Sequence, residues 1–248
     1  MRIGGIIDIS SKDIPSKSSM VIFTVGCNLS CGFCHNKYLL HESVGKEIEI
    51  SELLEQIKSN MLVSGVSISG GEPTLQKDLI DLCKEISKTD KYISIDTNGS
   101  SPELLKKLVP YINRVALDLK GPLIQEKLEK ITGVMVDVNK IIETIKLLNT
   151  QKGLDFEIRT TYIGNLLYPN DFQNIIEFLK DIGFKGNFVL QQYQYQEGVG
   201  KKFNEIFFKP VHDALIDLLR PYKDLILSFN IFLSDEVVGY SKIEELFN

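Results

Sequence analysis

Three of the protein's four cysteines, Cys27, Cys31 and Cys34, lie close together in segment 26–36. Their spacing would also suit one face of a helix, where free cysteine packs as a small apolar group. The segment, however, contains two glycines together with Asn and Ser residues, which favour a tight loop over a helix. Because a loop can turn several thiolates toward one centre, the segment predicts a metal site.

The chemistry of that site depends on how many ligands the loop supplies. Thiolates hold iron–sulfur clusters, and a cluster of four irons needs four ligands, so three cysteines would leave one iron open. By analogy with catalytic zinc sites, an open position on a metal indicates chemistry. Two other interpretations remain: buried cysteines, or a zinc site. A zinc site would need His41 as its fourth ligand, because His35 adjoins Cys34 and could hardly turn back to the same ion.

The pattern Cys-x3-Cys-x-aromatic-Cys resembles the signature of the radical S-adenosylmethionine (radical SAM) enzymes. The resemblance implies one [4Fe-4S] cluster on Cys27, Cys31 and Cys34, with SAM bound to the open iron through its amino and carboxylate groups. It also implies an α/β fold of the radical SAM type, a partial (β/α)6 barrel.

The composition indicates one large globular domain. The chain has 248 residues, of which 43% are hydrophobic and 25% charged. Its formal net charge of −5 provides no broad basic field, so we expect neither nucleic acid nor a membrane as a partner. No apolar run reaches the roughly 18 to 20 residues that span a bilayer, and the start lacks the apolar stretch of a secretory signal.

Cysteine usage predicts a cytoplasmic protein, since three crowded thiols suit a metal site in a reducing compartment better than a disulfide framework. The fourth cysteine, Cys83, lies in a stretch whose apolar residues recur at helical spacing. We therefore expect Cys83 to pack in the core.

Six strand-like segments alternate with amphipathic helical patterns. The predicted strands are 20–25, 65–69, 92–95, 114–117, 156–161 and 188–192. Alternation of this kind predicts a parallel sheet with helical crossovers, either doubly wound or a whole or partial barrel. We expect a loose N-terminal arm over 1–18, the barrel over 19–200, and a C-terminal extension over 201–248 that packs on the barrel, with a possible strand at 225–233.

Polar residues follow the predicted strands at their carboxyl ends, where sheets of this type bind ligands. After the cysteine loop come Glu72 with its two preceding glycines, the segment 96–99, and Asp118 with Lys120. Arg159 and the glutamines at 191–192 end the last two strands.

SAM carries both charge signs, a ribose diol and a flat adenine, which suggests a role for several of these residues. Two glycines let the backbone approach closely, and Glu72 could accept the ammonium. Asp96 or Asn98 suits the ribose or the amino group, and Lys120 offers a point charge to the carboxylate. Phe33 could lie beside the adenine.

Longer motifs narrow the resemblance. The GGEP sequence at 70–73 is similar to the motif that contacts the SAM amino group in this superfamily. Segments 26–36, 96–99 and 117–120 resemble the glycyl-radical-enzyme activating enzymes, and segments 159–161 and 190–192 fit the branch that activates anaerobic ribonucleoside-triphosphate reductases. The resemblance implies a SAM site built from Phe33, His35, Asn36, Gly70, Gly71, Glu72, Asp96, Asn98, Asp118, Lys120 and Arg159.

The sequence departs from that family in three places. Segment 8–17 matches the N-terminal element of the family only loosely, with Ser16 where glycine is usual. No histidine is found late in the barrel, because His212 lies in a helical pattern. An inserted eight-cysteine segment is absent, so we expect a single cluster.

The expected function is an oxygen-sensitive enzyme that cleaves SAM reductively to a 5′-deoxyadenosyl radical. The radical would remove a hydrogen from a glycine of a partner enzyme, an anaerobic ribonucleotide reductase, with a flavodoxin or ferredoxin as electron donor. One alternative is a radical SAM enzyme acting on a small molecule or nucleotide, similar to the carboxydeazaguanine synthases. Another is a non-catalytic zinc or electron-transfer module.

Overall fold

A single sheet of ten strands organises the computed structural model, which describes residues 1–41, 43–195, 206–225 and 228–247. The order of the strands across the sheet is β10-β9-β8-β7-β6-β5-β4-β2-β1-β3. The strands are β1 (Arg2–Ile14), β2 (Lys17–Thr24), β3 (Lys46–Glu47), β4 (Gly65–Gly70), β5 (Tyr92–Thr97), β6 (Arg114–Asp118), β7 (Asp155–Tyr162), β8 (Asn187–Gln192), β9 (Asn230–Asp235) and β10 (Gly239–Lys242).

Helices connect the parallel strands and bury their apolar faces against the sheet. They are α1 (Ile50–Ser59), α2 (Leu79–Ile86), α3 (Pro102–Leu108), α4 (Gln125–Thr132), α5 (Val138–Asn149), α6 (Pro169–Asp181), α7 (His212–Leu219) and α8 (Ile243–Leu246). Cys83 is fully buried on α2, as its helical pattern predicted. In the parts of the chain that the structure describes, no helix is long and apolar enough to cross a membrane.

All six predicted strands are present, as β2 and β4 to β8, and each pairs in parallel with the next. The sheet does not close, because its order ends at β10 on one side and at β1 and β3 on the other. Residues of both β1 and β10 nevertheless line one cavity. The sheet therefore curves around that cavity as a partial barrel.

The N-terminal segment is not the loose arm that its glycines and serines suggested. Residues 2–14 form β1, which pairs antiparallel with β2 and interrupts its register with bulges. Isoleucines explain the difference, because Ile3 and Ile14 are buried in the core and Ile6 pairs with Ile22. The prediction of a loose arm over 1–18 was therefore wrong, because the buried isoleucines decide the structure of this segment and its glycines and serines do not.

The C-terminal segment extends the sheet instead of only packing on it. The strand expected at 225–233 is β9, which pairs in parallel with β8 and is followed by the antiparallel β10. Residues 196–205, which contain the predicted boundary at 200, lie outside the described residues. The parallel part of the sheet thus has a seventh strand beyond the six that were predicted.

Ser16 lies in the two-residue turn between β1 and β2 and has a φ of 61°, in the left-handed region. Because glycine adopts this conformation without strain, we predict that Ser16→Gly raises the free energy of unfolding by about 1 kcal/mol. Urea denaturation checks the change. Ser11→Gly, in the strand itself, should lower stability, and a loss of stability in both variants would contradict the interpretation.

Candidate active site

A cavity of about 1110 Å³ lies at the carboxyl ends of the parallel strands. Every residue predicted for the cluster or for SAM lines it, although these residues come from five different strand ends. They are Cys27, Cys31, Phe33, Cys34, His35, Asn36, Gly70, Gly71, Glu72, Asp96, Asn98, Asp118, Lys120 and Arg159.

The cysteine segment is a loop held at several points by distant parts of the chain. The Gly26 amide donates to the Leu39 carbonyl at 2.7 Å, and the Ser30 amide donates to the Thr132 carbonyl at 2.9 Å. Gly26 has a φ of 93°, which a side chain would strain. The helical interpretation of the three cysteines is therefore wrong.

The three thiols suit a cluster that gives each sulfur its own iron. Among the described residues, no three His, Cys, Asp or Glu side chains converge tightly enough to hold a single ion. His41, which the zinc interpretation required, is exposed and does not line the cavity. Soft thiolates arranged around one cavity are instead the donor set of an iron–sulfur cluster.

Burial shapes the acidity of these thiols. It raises the pKa of Cys31 to about 11 and also raises the pKa of Cys27, while the nearby Lys120 ammonium acts in the opposite direction. Both shifts favour the protonated forms of Cys27 and Cys31 when no metal is bound. Iron binding would displace those protons, as it does from other cysteine ligands.

Two glycines allow the turn after β4 to pack against the start of the cysteine loop. A Cβ on Gly71 would lie 2.1 Å from the Gly26 carbonyl oxygen, and one on Gly70 would lie 2.3 Å from the Thr24 amide nitrogen. The Glu72 amide then donates to the Gly26 carbonyl at 2.8 Å. The two segments can be this close only because neither glycine has a side chain.

Glu72 is fully engaged within the protein. Its Oε1 accepts from the amide and hydroxyl of Thr74 and from the Thr97 hydroxyl, and its Oε2 accepts from the Asn98 amide at 2.7 Å. Burial raises the pKa of this carboxyl, and the hydrogen bonds oppose the rise. The carboxylate thus holds the turn after β4 to the turn after β5, and its contact with the SAM ammonium stays a prediction.

Asn28, which was not among the predicted site residues, supports the site from outside the cavity lining. Its Oδ1 accepts from the Asn98 side chain at 2.8 Å, and its Nδ2 donates to the Ser100 hydroxyl at 2.9 Å. These bonds join the cysteine loop to the turn after β5. The available signal was an amide side chain next to Cys27, but its partners are about seventy residues away in sequence.

A chain of ion pairs lines the cavity. Asp118 accepts from Lys120 at 3.2 Å and from Arg159 Nε at 2.8 Å, and Arg159 also pairs with Asp96 at 3.1 Å. Burial alone would raise the pKa of Asp118, but the two cations outweigh it and hold the pKa below its usual range. For Asp96 burial dominates, and its pKa is raised.

The same chain continues deeper into the barrel, through residues that the sequence did not single out. Arg114 lies 3.8 Å from Asp96, pairs with Glu157 at 2.7 Å and donates to the Ser94 hydroxyl. The Tyr240 hydroxyl, from β10, donates to the other oxygen of Glu157 at 2.9 Å. The available signal was Arg114 at the start of one predicted strand and Glu157 between the apolar Phe156 and Ile158 of another.

The aromatic residues of the cysteine loop contact the C-terminal side of the barrel. His35 Nε2 lies 3.0 Å from the Gln194 carbonyl, and burial lowers the pKa of this imidazole. Phe33 packs edge-on against Phe207, with ring centroids 6.2 Å apart. Asn36 donates to the Gly70 carbonyl at 3.5 Å. All three predicted residues thus lie between the cysteine loop and its neighbours.

The open α/β barrel with three thiols at its mouth defines an enzyme of the iron–sulfur class. The family model described as the Radical SAM superfamily matches residues 21–187. The chain therefore belongs to the radical SAM superfamily, and this membership implies an iron–sulfur cluster and SAM as cofactors.

Individual relatives share parts of this chain. A protein of Methanocaldococcus jannaschii named a putative glycyl-radical enzyme activating enzyme is 32% identical over 82% of this chain and 85% of its own length. A probable GTP 3′,8-cyclase of the same organism is 30% identical over 67% of this chain and 56% of its own. Streptococcus suis SuiB bound to S-adenosylmethionine has the same fold, with a TM-score of 0.66 and 22% identity. The match covers 87% of this chain and 50% of the SuiB chain.

We predict that Arg114→Met lowers the free energy of unfolding by about 3–5 kcal/mol, because it leaves Glu157 buried without its cation. The double variant Arg114→Met, Glu157→Leu should be more stable than this single variant, since replacing both partners removes the unpaired charge. Chemical denaturation measures both. The single variant Glu157→Leu completes the comparison. If the double variant loses as much unfolding free energy as the two single variants together, the pairing is contradicted.

Cys31→Ala should prevent iron binding, because it removes one of three ligands. Cys83→Ala should keep iron and lower only the free energy of unfolding, since Cys83 is buried on α2 away from the cavity. Iron analysis after anaerobic reconstitution separates the two variants. Loss of iron from the Cys83 variant would show that the loop does not supply the whole protein ligand set.

Proposed function

We propose that this chain is a glycyl-radical-enzyme activating enzyme. The observation that carries the proposal is the gathering of the three loop thiols, the paired glycines and the Asp118–Lys120 pair around one cavity. The relative from Methanocaldococcus jannaschii, similar over most of both chains, supports this choice of activity. A [4Fe-4S] cluster on Cys27, Cys31 and Cys34 would keep one iron open for SAM.

Residues around the cavity suit the separate parts of SAM. The Lys120 ammonium offers a charge to the carboxylate, and Asp118 with Arg159 fixes that ammonium in place. Because the Glu72 carboxylate already has internal donors, the backbone at Gly70 and Gly71 is the better partner for the SAM amino group. Asn98 and Asp96 are placed for the ribose or amino groups, and Phe33 for the adenine.

When bound, the cluster and SAM supply a 5′-deoxyadenosyl radical: one electron from a low-potential donor cleaves SAM, and methionine is the other product. With these groups bound, the cavity would have to hold the partner's glycine so that its Cα could give up a hydrogen atom, with 5′-deoxyadenosine and a glycyl radical as the products. The chain would contribute the orientation of the cluster, SAM and the glycine within one cavity. This chemistry requires no general acid or base.

The partner we propose is an anaerobic ribonucleotide reductase, on the strength of the motifs at 159–161 and 190–192. A flavodoxin or ferredoxin would supply the electron. The open sheet favours a protein substrate, because β1 and β10 line the same cavity without pairing with each other.

A second candidate is a nucleotide substrate. It is favoured by the GTP 3′,8-cyclase relative, although the chain spans about half of that relative's length. A nucleotide would need several cationic or amide donors for its phosphates. Of the cations that line the cavity, Lys120 and Arg159 are paired with carboxylates.

Electron paramagnetic resonance tests the proposed activity. The reconstituted protein, incubated anaerobically with SAM, dithionite and the anaerobic reductase, should give the doublet of a glycyl radical. The Cys31→Ala variant provides the blank. If SAM is cleaved and no glycyl radical forms, while GTP offered in place of the reductase is consumed, the nucleotide function replaces the proposed one.

A further inference from the structure

One extended segment of the C-terminal part of the chain binds to the ends of two barrel strands. We define this segment, residues 206–210, as the strap. Phe208 exchanges two backbone hydrogen bonds with Gly164, at 2.8 and 3.2 Å, in an isolated antiparallel bridge. The Pro210 carbonyl accepts from the Gln192 side chain at 2.8 Å. The strap is therefore tied to the loop after β7 and to the end of β8.

Side chains alternate along the strap as they do along a strand. Ile206 and Phe208 are 46% and 50% exposed, whereas Phe207 between them is only 9% exposed. The buried Phe207 ring meets the Phe33 ring edge-on, with centroids 6.2 Å apart and an angle of 84° between the planes. Phe207 therefore packs against the residue that we place beside the adenine of SAM.

The position of Phe33 in the cysteine loop makes this contact important. Phe33 lies between Cys31 and Cys34, directly after Gly32, and it lines the cavity. A preceding glycine leaves the backbone many conformations, so the loop by itself does little to fix the ring. Edge-on packing of two aromatic rings is a favourable and directional contact. The contact with Phe207 thus restricts how Phe33 can lie at the cavity wall.

The same end of the cysteine loop has a second link to the strap. His35 Nε2 lies 3.0 Å from the Gln194 carbonyl, and the Gln194 side chain donates to Gln192 Oε1 at 2.6 Å. The Gln192 side chain donates in turn to the Pro210 carbonyl, at the other end of the strap. Both chain neighbours of Cys34 are thus linked to the strap, one through an aromatic ring and the other through two glutamines.

Gly164 allows the strap to lie this close to the loop after β7. A Cβ at Gly164 would lie 2.9 Å from the Phe208 Cβ and 3.0 Å from the Phe208 carbonyl oxygen. The φ of Gly164 is outside the left-handed region, so the strap and not the local backbone excludes a side chain here. Gly164 does not line the cavity. An alanine at this position would therefore displace the strap without touching any residue placed for SAM.

We propose that Phe207 is a positioning residue for SAM, which holds the Phe33 ring at the cavity wall beside the adenine. Phe207 does not itself line the cavity, so it acts on SAM only through Phe33. The strap, closed over Gly164, is the support that keeps Phe207 in place. This inference rests on the part of the proposed function that concerns SAM, and it holds for a protein substrate and for a nucleotide alike.

The experiment measures the dissociation constant of SAM on the reconstituted, unreduced holoenzyme by equilibrium dialysis, with the iron content determined for every variant. Phe207→Ala should weaken SAM binding by about tenfold at unchanged iron content, because the Phe33 ring loses its support. Phe207→Leu keeps a bulky apolar contact and should recover most of the affinity. Gly164→Ala should weaken SAM binding in the same direction, from outside the cavity.

Two controls separate positioning from a general loss of stability. Phe184→Ala is the matched control, since Phe184 is fully buried against Phe156 and Phe229 and lies outside the cavity lining. It should lower the free energy of unfolding and leave the SAM affinity unchanged. A double-mutant cycle tests the route: in a Phe33→Ala background, Phe207→Ala should cause no further loss of affinity. A further tenfold loss in that background would show that Phe207 does not act through Phe33, and the proposal would be wrong.

The remaining results distinguish this inference from the proposed activity. If Phe207→Ala and Gly164→Ala bind SAM as tightly as the original protein, the positioning role is wrong, whatever happens on the reductase. If these variants lose iron together with SAM, the strap supports the cluster ligands and the assignment to Phe33 is wrong. If they lose SAM affinity alone while the original protein forms no glycyl radical, the inference stands and the proposed substrate is wrong. If the original protein holds iron but does not bind SAM, both are wrong.

Discussion

The buried ion chain inside the barrel is the constraint on which the rest of the site depends. Asp118, Arg159, Asp96, Arg114 and Glu157 alternate in sign across three adjacent strands, β5 to β7. A buried charge without a partner is costly, so each member requires its neighbour to be in register. These ion pairs thereby fix the register of strands β5 to β7 relative to one another. It also fixes Lys120, which reaches toward the thiols from the end of the same chain.

The cysteine loop owes its shape to contacts rather than to its own sequence. Glycines at its base let the turn after β4 touch it, and Glu72 ties that turn to the turn after β5. Asn28 then ties the loop to the same turn. Three strand ends are thus joined by hydrogen bonds, which places the thiols on a supported frame. Metal sites generally depend on such outer contacts as much as on the ligands.

The sequence predicted the parts of this molecule that follow from local pattern. Six strands were recognisable because parallel strands are buried on both faces and read as apolar runs. β1 was missed because its isoleucines are spaced by glycine and serine, and the partners that bury them come later in the chain. Arg114 and Glu157 were missed for a related reason, since each looks like a solvent-facing strand residue until the other is placed beside it. The role of Glu72 depended on donors that only the folded chain supplies.

The bond from Ser30 to Thr132 bears on how the protein is made. A ribosome produces the three cysteines early, whereas α4, which holds their loop from behind, emerges a hundred residues later. The nascent chain therefore presents thiols with no fixed geometry for much of its synthesis. Cluster delivery that required the finished pocket would have to wait until α4 and the strands after it had left the ribosome. The order of translation thus separates the making of the ligands from the making of the site.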